Sequence, residues 1–215
     1  TTWGTQLFWP LDLRLDLKAI FVIDPLYTVP FLIFLVLAMR SEIGSEKRKR
    51  YNRLGILISS SYLVLCLCLK GFAYQHFKSA LKDQHIAYLQ LETKPSPFNS
   101  ILWTANVEVE NAYLIGYYSF LDSKPIEFHR YPKNHQLLGG LRSEDKIQRM
   151  IDISNGWFTI TEREGELVFN DLRFGVLDVN AERPTFVFSY HVQKTNGTIQ
   201  IEEVKRKPAD AKKLL

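Results

Sequence analysis

One carboxylate stands inside an otherwise apolar stretch. Asp24 is the single charged residue in AIFVIDPLYTVPFLIFLVLAM, residues 19–39. An ionisable side chain carried into a bilayer costs about 2.5–3.5 kcal/mol on insertion scales, so Asp24 is a candidate catalytic acid/base or metal ligand. It is also followed by Pro25, and Asp-Pro is a good helix start, with Asp as N-cap and Pro at the first helical position. The residue types leave both roles open, and one side chain can fill both. Ahead of it, Thr1, Thr2 and Thr5 offer hydroxyls and Gly4 permits close backbone approach. Thr2, Gly4 and Thr5 are therefore candidate binding residues, with a plain turn at a membrane surface as the competing reading.

Elsewhere the chemistry is sparse. Asp171 and Arg173 lie two apart on a strand-like segment and share a face. They could bind an anion, or pair internally and pin a hairpin. The five histidines, His76, His85, His129, His135 and His191, lack metal-ligand spacing. His129 and His135, with Asp145, come nearest to a cluster. Cys66 and Cys68 are i, i+2 on an apolar segment, point in different directions on a helix, and read as apolar filler. The sequence contains no GxSxG, Walker, GxGxxG or HExxH motif. Trp103 and Trp157 read as core anchors.

The elements that must position these groups follow from where charge is missing. The 215 residues carry 27 Lys+Arg and 23 Asp+Glu. Residues 1–75 hold nine Lys/Arg against five Asp/Glu, and residues 76–215 hold eighteen of each, so the whole net charge of +4 belongs to the first third. There it concentrates in Arg40, Lys47, Arg48, Lys49, Arg50 and Arg53. This cluster separates the run at 19–39 from a second one, LGILISSSYLVLCLCL, which continues through Lys70 to Phe72. Each run approaches the ~20 residues that span a bilayer, and neither shows the polar stripe of a buried amphipathic helix. Two transmembrane helices, at about 19–39 and 54–72, are expected, joined by a basic loop at 40–53 that stays cytoplasmic. Thr1 and the C-terminal part then lie across the membrane. The lipid bilayer is the expected partner. A neutral C-terminal domain on that side argues against nucleic acid, despite 13% aromatic residues. A hydrophobic fraction of 46% with two Cys excludes a wholly disordered chain and a disulfide scaffold.

The residues around Asp24 also form a recognisable pattern. Thr1-Thr2-Trp3-Gly4-Thr5-Gln6-Leu7-Phe8-Trp9-Pro10, followed by Phe21-Val22-Ile23-Asp24-Pro25-Leu26-Tyr27, resembles the YdjM/YfhP type of bacterial inner-membrane protein, described as membrane-bound, metal-dependent hydrolases. Weaker similarity extends to Pro97-Phe98-Asn99, Leu102-Trp103, Tyr117-Tyr118-Ser119, Trp157-Phe158 and Asn170–Gly175. The resemblance implies a multi-pass inner-membrane location and a divalent metal with Asp24 among its ligands. It also implies that this chain is the C-terminal part of a longer protein, because the family's HRxxTHS-like segment and a further Asp would precede Thr1. Residues outside this chain would then complete the metal site. The substrate would be a lipid or another envelope component. A non-enzymatic membrane protein, whose extramembrane sheet domain binds a partner or supports the envelope, is the alternative.

From residue 76 the texture is that of a soluble α+β domain with an antiparallel sheet, reaching to residue 207 and followed by a frayed tail at 208–215. Tyr74–Lys82 is amphipathic and should prolong the second helix out of the bilayer. Strands are expected at 86–93, 101–110, 112–122, 125–131, 157–164, 166–177, 185–194 and 198–206, from alternation and turn signals. Asn196-Gly197 marks a type I′ hairpin. One helix is expected between Ser143, as its N-cap, and Asn155-Gly156, with Ile147, Met150 and Ile151 on its apolar face.

Overall fold

A computed structural model describes residues 8–11, 16–163, 165–178, 184–195 and 198–204. The elements in chain order are α1 (Pro25–Arg40), α2 (Glu46–Asp83), β1 (Gln90–Pro95), β2 (Leu102–Glu108), β3 (Ala112–Ser119) and β4 (Phe128–Pro132). A 3-10 segment (His135–Ser143), α3 (Asp145–Ile153), β5 (Phe158–Arg163), β6 (Glu166–Asp178), β7 (Thr185–Thr195) and β8 (Thr198–Glu203) follow. The strands form two four-stranded antiparallel sheets, ordered β1-β2-β3-β4 and β5-β6-β7-β8. The α+β class is as expected, but the strands divide between two sheets where one was expected. Two compact units result: residues 1–87, 92–105 and 116–127 in the first, and residues 88–91, 106–115 and 128–215 in the second.

In the first unit α1 and α2 pack together as a hairpin. Residues 16–24 are not helical, so the helix expected over 19–39 is only the sixteen residues from Pro25 to Arg40. The cause is local. Asp24 has extended backbone angles, and its side chain accepts the amides of Leu26 and Tyr27, which fixes the start one residue later. At 1.5 Å per residue α1 is about 24 Å long, short of a ~30 Å hydrocarbon core. Among the described residues one helix, α2, is therefore long and apolar enough to cross a membrane, where two were expected.

α2 starts at Glu46, capped by the Ser45 hydroxyl on the Arg48 amide. Lys47, Arg48, Lys49, Arg50 and Arg53 thus stand on its first turns, and the connection itself is only residues 41–45. Beyond the apolar run the helix continues to Asp83 with Ala73, Phe77 and Leu81 buried, the amphipathic extension foreseen from 74–82. The pairing of the two helices is antiparallel: Tyr27 meets Tyr62, with ring centroids 6.5 Å apart. Seven residues on along α1, Phe34 meets Gly55, seven residues back along α2. A Cβ at Gly55 would sit 3.0 Å from the Phe34 Cβ, so this glycine sets the close approach.

In the second unit α3 and the 3-10 segment supply Leu138 and Ile147 to a core completed by Phe158, Ile160, Phe169, Val192 and Ile199. Met150 and Ile151 pack at its edge, as their helical spacing predicts. The helix ends as expected, with Asn155 and Gly156 at positive φ and the Gly156 amide on the Ile151 carbonyl. Its start differs. The N-cap is Glu144, without a side-chain bond, because the Ser143 hydroxyl is turned back onto the Gly140 carbonyl that closes the 3-10 segment. The β5–β6 and β6–β7 ladders align Thr159, Asn170 and Ser189 in one row. Asn196-Gly197 lies outside the described residues, between β7 and β8.

His135 carries a pH prediction for this unit. Its Nε2 lies 2.9 Å from the Phe158 carbonyl, and its ring stacks on Phe158 at 4.0 Å. Burial pushes its pKa below the ordinary histidine value, and Arg142 and Lys133 push the same way against the Phe158 carbonyl. The folded chain therefore takes up this proton less readily than the unfolded chain. Stability is complete above the ordinary histidine range near pH 6.5 and is lost as pH falls below it. Denaturant midpoints measured from pH 7.5 to 5 should fall, and His135→Gln should flatten that fall.

Candidate functional site

Asp24 is 1% exposed, although it is the N-cap of a helix with no buried residue of its own. Its burial comes from partners brought in by two other elements of the same unit. Oδ1 accepts the Leu26 amide at 2.9 Å and the Tyr27 amide at 3.3 Å. The Tyr62 hydroxyl, from the middle of α2, lies 3.1 Å from Oδ1 and 3.0 Å from Oδ2. The Ser100 hydroxyl, from the loop between β1 and β2, lies 3.0 Å from Oδ2. Tyr62 and Ser100 are themselves 2.8 Å apart, and the Cys66 sulfur is 3.8 Å from the Ser100 hydroxyl.

The Ser100 position is set by its neighbours. Asn99 Oδ1 accepts the amides of Ile101 and Leu102, its Nδ2 donates to the Pro97 carbonyl, and the Trp103 indole N–H donates to the Ser100 carbonyl. Ser59, one turn before Tyr62, has a buried hydroxyl without a hydrogen-bond partner among the described residues.

The trio of Asp24, Tyr62 and Ser100 has four oxygen–oxygen contacts and two hydroxyl protons to serve them. Its hydroxyls can therefore reorient among alternative donor patterns. It is poorly suited to a metal. The two amides and two hydroxyls already occupy the roughly four lone-pair positions of a carboxylate. Among the described residues, no group of three His, Cys, Asp or Glu could hold an ion. Asp24 is in place as the cap, and as a ligand it would have to release Tyr62 or Ser100.

The other candidates separate. Thr2, Gly4 and Thr5 lie outside the described residues. Asp171 and Arg173 belong to the second unit and form a closed pair: Nη2 to Oδ2 at 2.6 Å, and Nε to Oδ1 at 3.1 Å. Asp171 Oδ1 also accepts the Arg173 amide at 2.9 Å. Their side chains are 7% and 4% exposed, so the two are paired internally. Beside them Asn170 donates to Thr161 and accepts the Ser189 hydroxyl, and Asn106 donates to the Leu172 carbonyl. His129, His135 and Asp145 form no metal cluster among the described residues. Cys66 and Cys68 are both free, Cys66 buried and Cys68 exposed.

Sequence reading missed Tyr62 and Ser100. A signal existed for the first: Ser59-Ser60-Ser61-Tyr62 is a hydroxyl run inside an apolar stretch, and polar side chains in such stretches tend to face a protein interior. Comparison with family models, with curated proteins and with solved structures gave no match for this chain.

Proposed function

We propose that this chain is the membrane-inserted part of an integral protein of the bacterial inner membrane, in which the α1–α2 hairpin anchors an α+β domain on the extracytoplasmic side. The observation that carries this reading is the exposure of the hairpin. Only 17% of the most apolar window of α2 is buried, and α1 leaves Leu26, Val29, Phe31, Leu32, Ile33, Leu35, Val36, Leu37 and Met39 exposed. An apolar surface of this extent on a soluble protein would drive association, whereas in lipid it is the normal outer surface. The basic residues at the closed end of the hairpin favour the cytoplasmic side for that end.

In this reading Asp24 is a polar lock. It ends the short helix and ties it to α2 and to the Ser100 loop. The resemblance at Thr1–Tyr27 favours a further role, as one residue of a metal-dependent hydrolase acting on a lipid or envelope substrate. The residues described here do not fit that site by themselves, and the enzyme reading rests on ligands from outside them. Membrane fractions washed with alkaline carbonate test the anchoring. The chain is expected to stay in the pellet and to be released by dodecyl maltoside. A chain that is soluble and monodisperse without detergent would overturn the proposal.

A further inference from the structure

Six cations gather at the closed end of the hairpin: Arg40 at the end of α1, and Lys47, Arg48, Lys49, Arg50 and Arg53 on the first turns of α2. Two acids accompany them, Glu42 in the connection and Glu46 at the start of α2. Glu46 accepts from Lys49 at 2.8 Å. The other five cations take part in no ion pair among the described residues. The sign of this charge favours the cytoplasmic side, but it does not account for where on α2 the guanidinium groups stand.

The face of α2 that meets α1 is marked by its buried residues Gly55, Ser59 and Cys66, with Gly55 against Phe34. At about 100° per residue, Arg53 lies about 160° round the helix from Gly55, and Arg50 about 140°. Both therefore point away from α1, and both are exposed. Leu57 and Val64 continue the same outer face toward the middle of α2, 59% and 60% exposed.

The depth of Arg53 follows from the same contact. α1 runs six residues past Phe34 to Arg40, so Arg40 stands about level with Lys49 on the antiparallel α2. Arg53 is a turn further along α2, about 6 Å toward the apolar run. Its stem lies on apolar surface while its guanidinium turns back toward the headgroups. Arg50 is its i, i+3 neighbour on that side. Two guanidinium groups so placed can grip a phosphate in bidentate contacts, which ammonium groups cannot do.

The anion that fits this face is amphipathic. A phosphate from water, or an acidic protein segment, would meet Arg40 and Lys47 first and stop short of the level of Arg53. The apolar surface at Leu57 and Val64 needs hydrocarbon against it. A phospholipid supplies both, and one with a net negative headgroup leaves its phosphate charge free for the two arginines, where a zwitterionic headgroup brings its own cation.

We infer that the outer face of α2 binds an anionic phospholipid, with its phosphate on Arg50 and Arg53 and an acyl chain along Leu57 and Val64. The inference rests on the membrane reading above. It adds a lipid class and a defined place for it.

The test titrates the full chain in dodecyl maltoside with phosphatidylglycerol, phosphatidylcholine or glycerol 3-phosphate and follows thermal melting. Phosphatidylglycerol should raise the melting temperature at a concentration at least tenfold below that of phosphatidylcholine, and glycerol 3-phosphate should leave it unchanged. Arg50→Gln/Arg53→Gln should abolish that tenfold advantage. Arg40→Gln/Lys47→Gln removes equal charge from the same end and should change it less than threefold. Native mass spectrometry of lipid retained by each variant reads the same preference without relying on its melting. Equal losses in the two double variants would reduce the effect to diffuse attraction and overturn the site. An equal response to glycerol 3-phosphate would overturn the lipid as its occupant. If phosphatidylglycerol has no advantage while the chain stays in the carbonate-washed pellet, this inference fails and the anchor stands. If the chain is soluble and monodisperse without detergent, both fail.

Discussion

Asp24→Ala should cost the helical unit about 3 kcal/mol of stability, the largest loss expected from any single change in that unit. Two contributions add. Removing the N-cap acceptor leaves the Leu26 and Tyr27 amides without their partner, worth about 1 kcal/mol. The Tyr62 and Ser100 hydroxyls then lose a charged acceptor in a buried place, each worth about 1–3 kcal/mol, although their mutual 2.8 Å contact keeps one bond between them. Asp24→Asn keeps an acceptor oxygen at the cap and should cost about 1 kcal/mol. Tyr62→Phe leaves the cap and Ser100 in place and should fall between the two. Urea unfolding in dodecyl maltoside, followed by tryptophan fluorescence, ranks the three. Equal losses for Ala and Asn would show that the negative charge matters more than the hydrogen-bond geometry. An Ala variant as stable as the parent would remove Asp24 from the lock altogether.

Local patterns in the sequence account for most of the fold, and the errors fall where distant partners decide. The eight strands lie within a few residues of their expected positions because alternation and turn residues are local signals, and the α3 face of Ile147, Met150 and Ile151 is a local periodicity. Asp24 was legible as a cap because Asp-Pro carries that signal in two residues. Its real environment was not legible, since Tyr62 is 38 residues away and Ser100 is 76 away. The same gap explains the first apolar run. Composition alone makes 19–39 look like one continuous span, but the cap at Asp24 and the bonds from α2 and the Ser100 loop stop the helix at Pro25. Ser143 failed as a cap for a comparable reason: the hydroxyl found a carbonyl in a 3-10 segment that no periodicity announces. The division of eight strands into two sheets is a matter of which edges pair, and alternation within a strand says nothing about it.

Arg173→Met should destabilise the second unit by about 3–5 kcal/mol, the usual cost of stranding one member of a buried ion pair. Asp171 would keep the Arg173 backbone amide but lose all three guanidinium contacts, at 5% exposure. The pair sits where the β6–β7 ladder shifts register between Asp171 and Val176, just before Gly175 at φ 85°. A register shift leaves ladder groups unpaired and bends the strand, so the chelate between residues 171 and 173 fixes β6 where the ladder does not. For that reason Asp171→Leu/Arg173→Met should recover much of the single-variant loss, but not all. The charge problem disappears in the double variant, while the clip across the bend is gone. Chemical denaturation of the three variants in detergent measures both terms, and a double-mutant cycle isolates the coupling. A site that bound an anion through Arg173 would behave differently. Sulfate or phosphate would then raise the melting temperature of the parent chain and not of Arg173→Met. With the guanidinium closed onto Asp171 the expected shift is the same in both, because any stabilisation by those salts then acts on the whole surface and not on this pair.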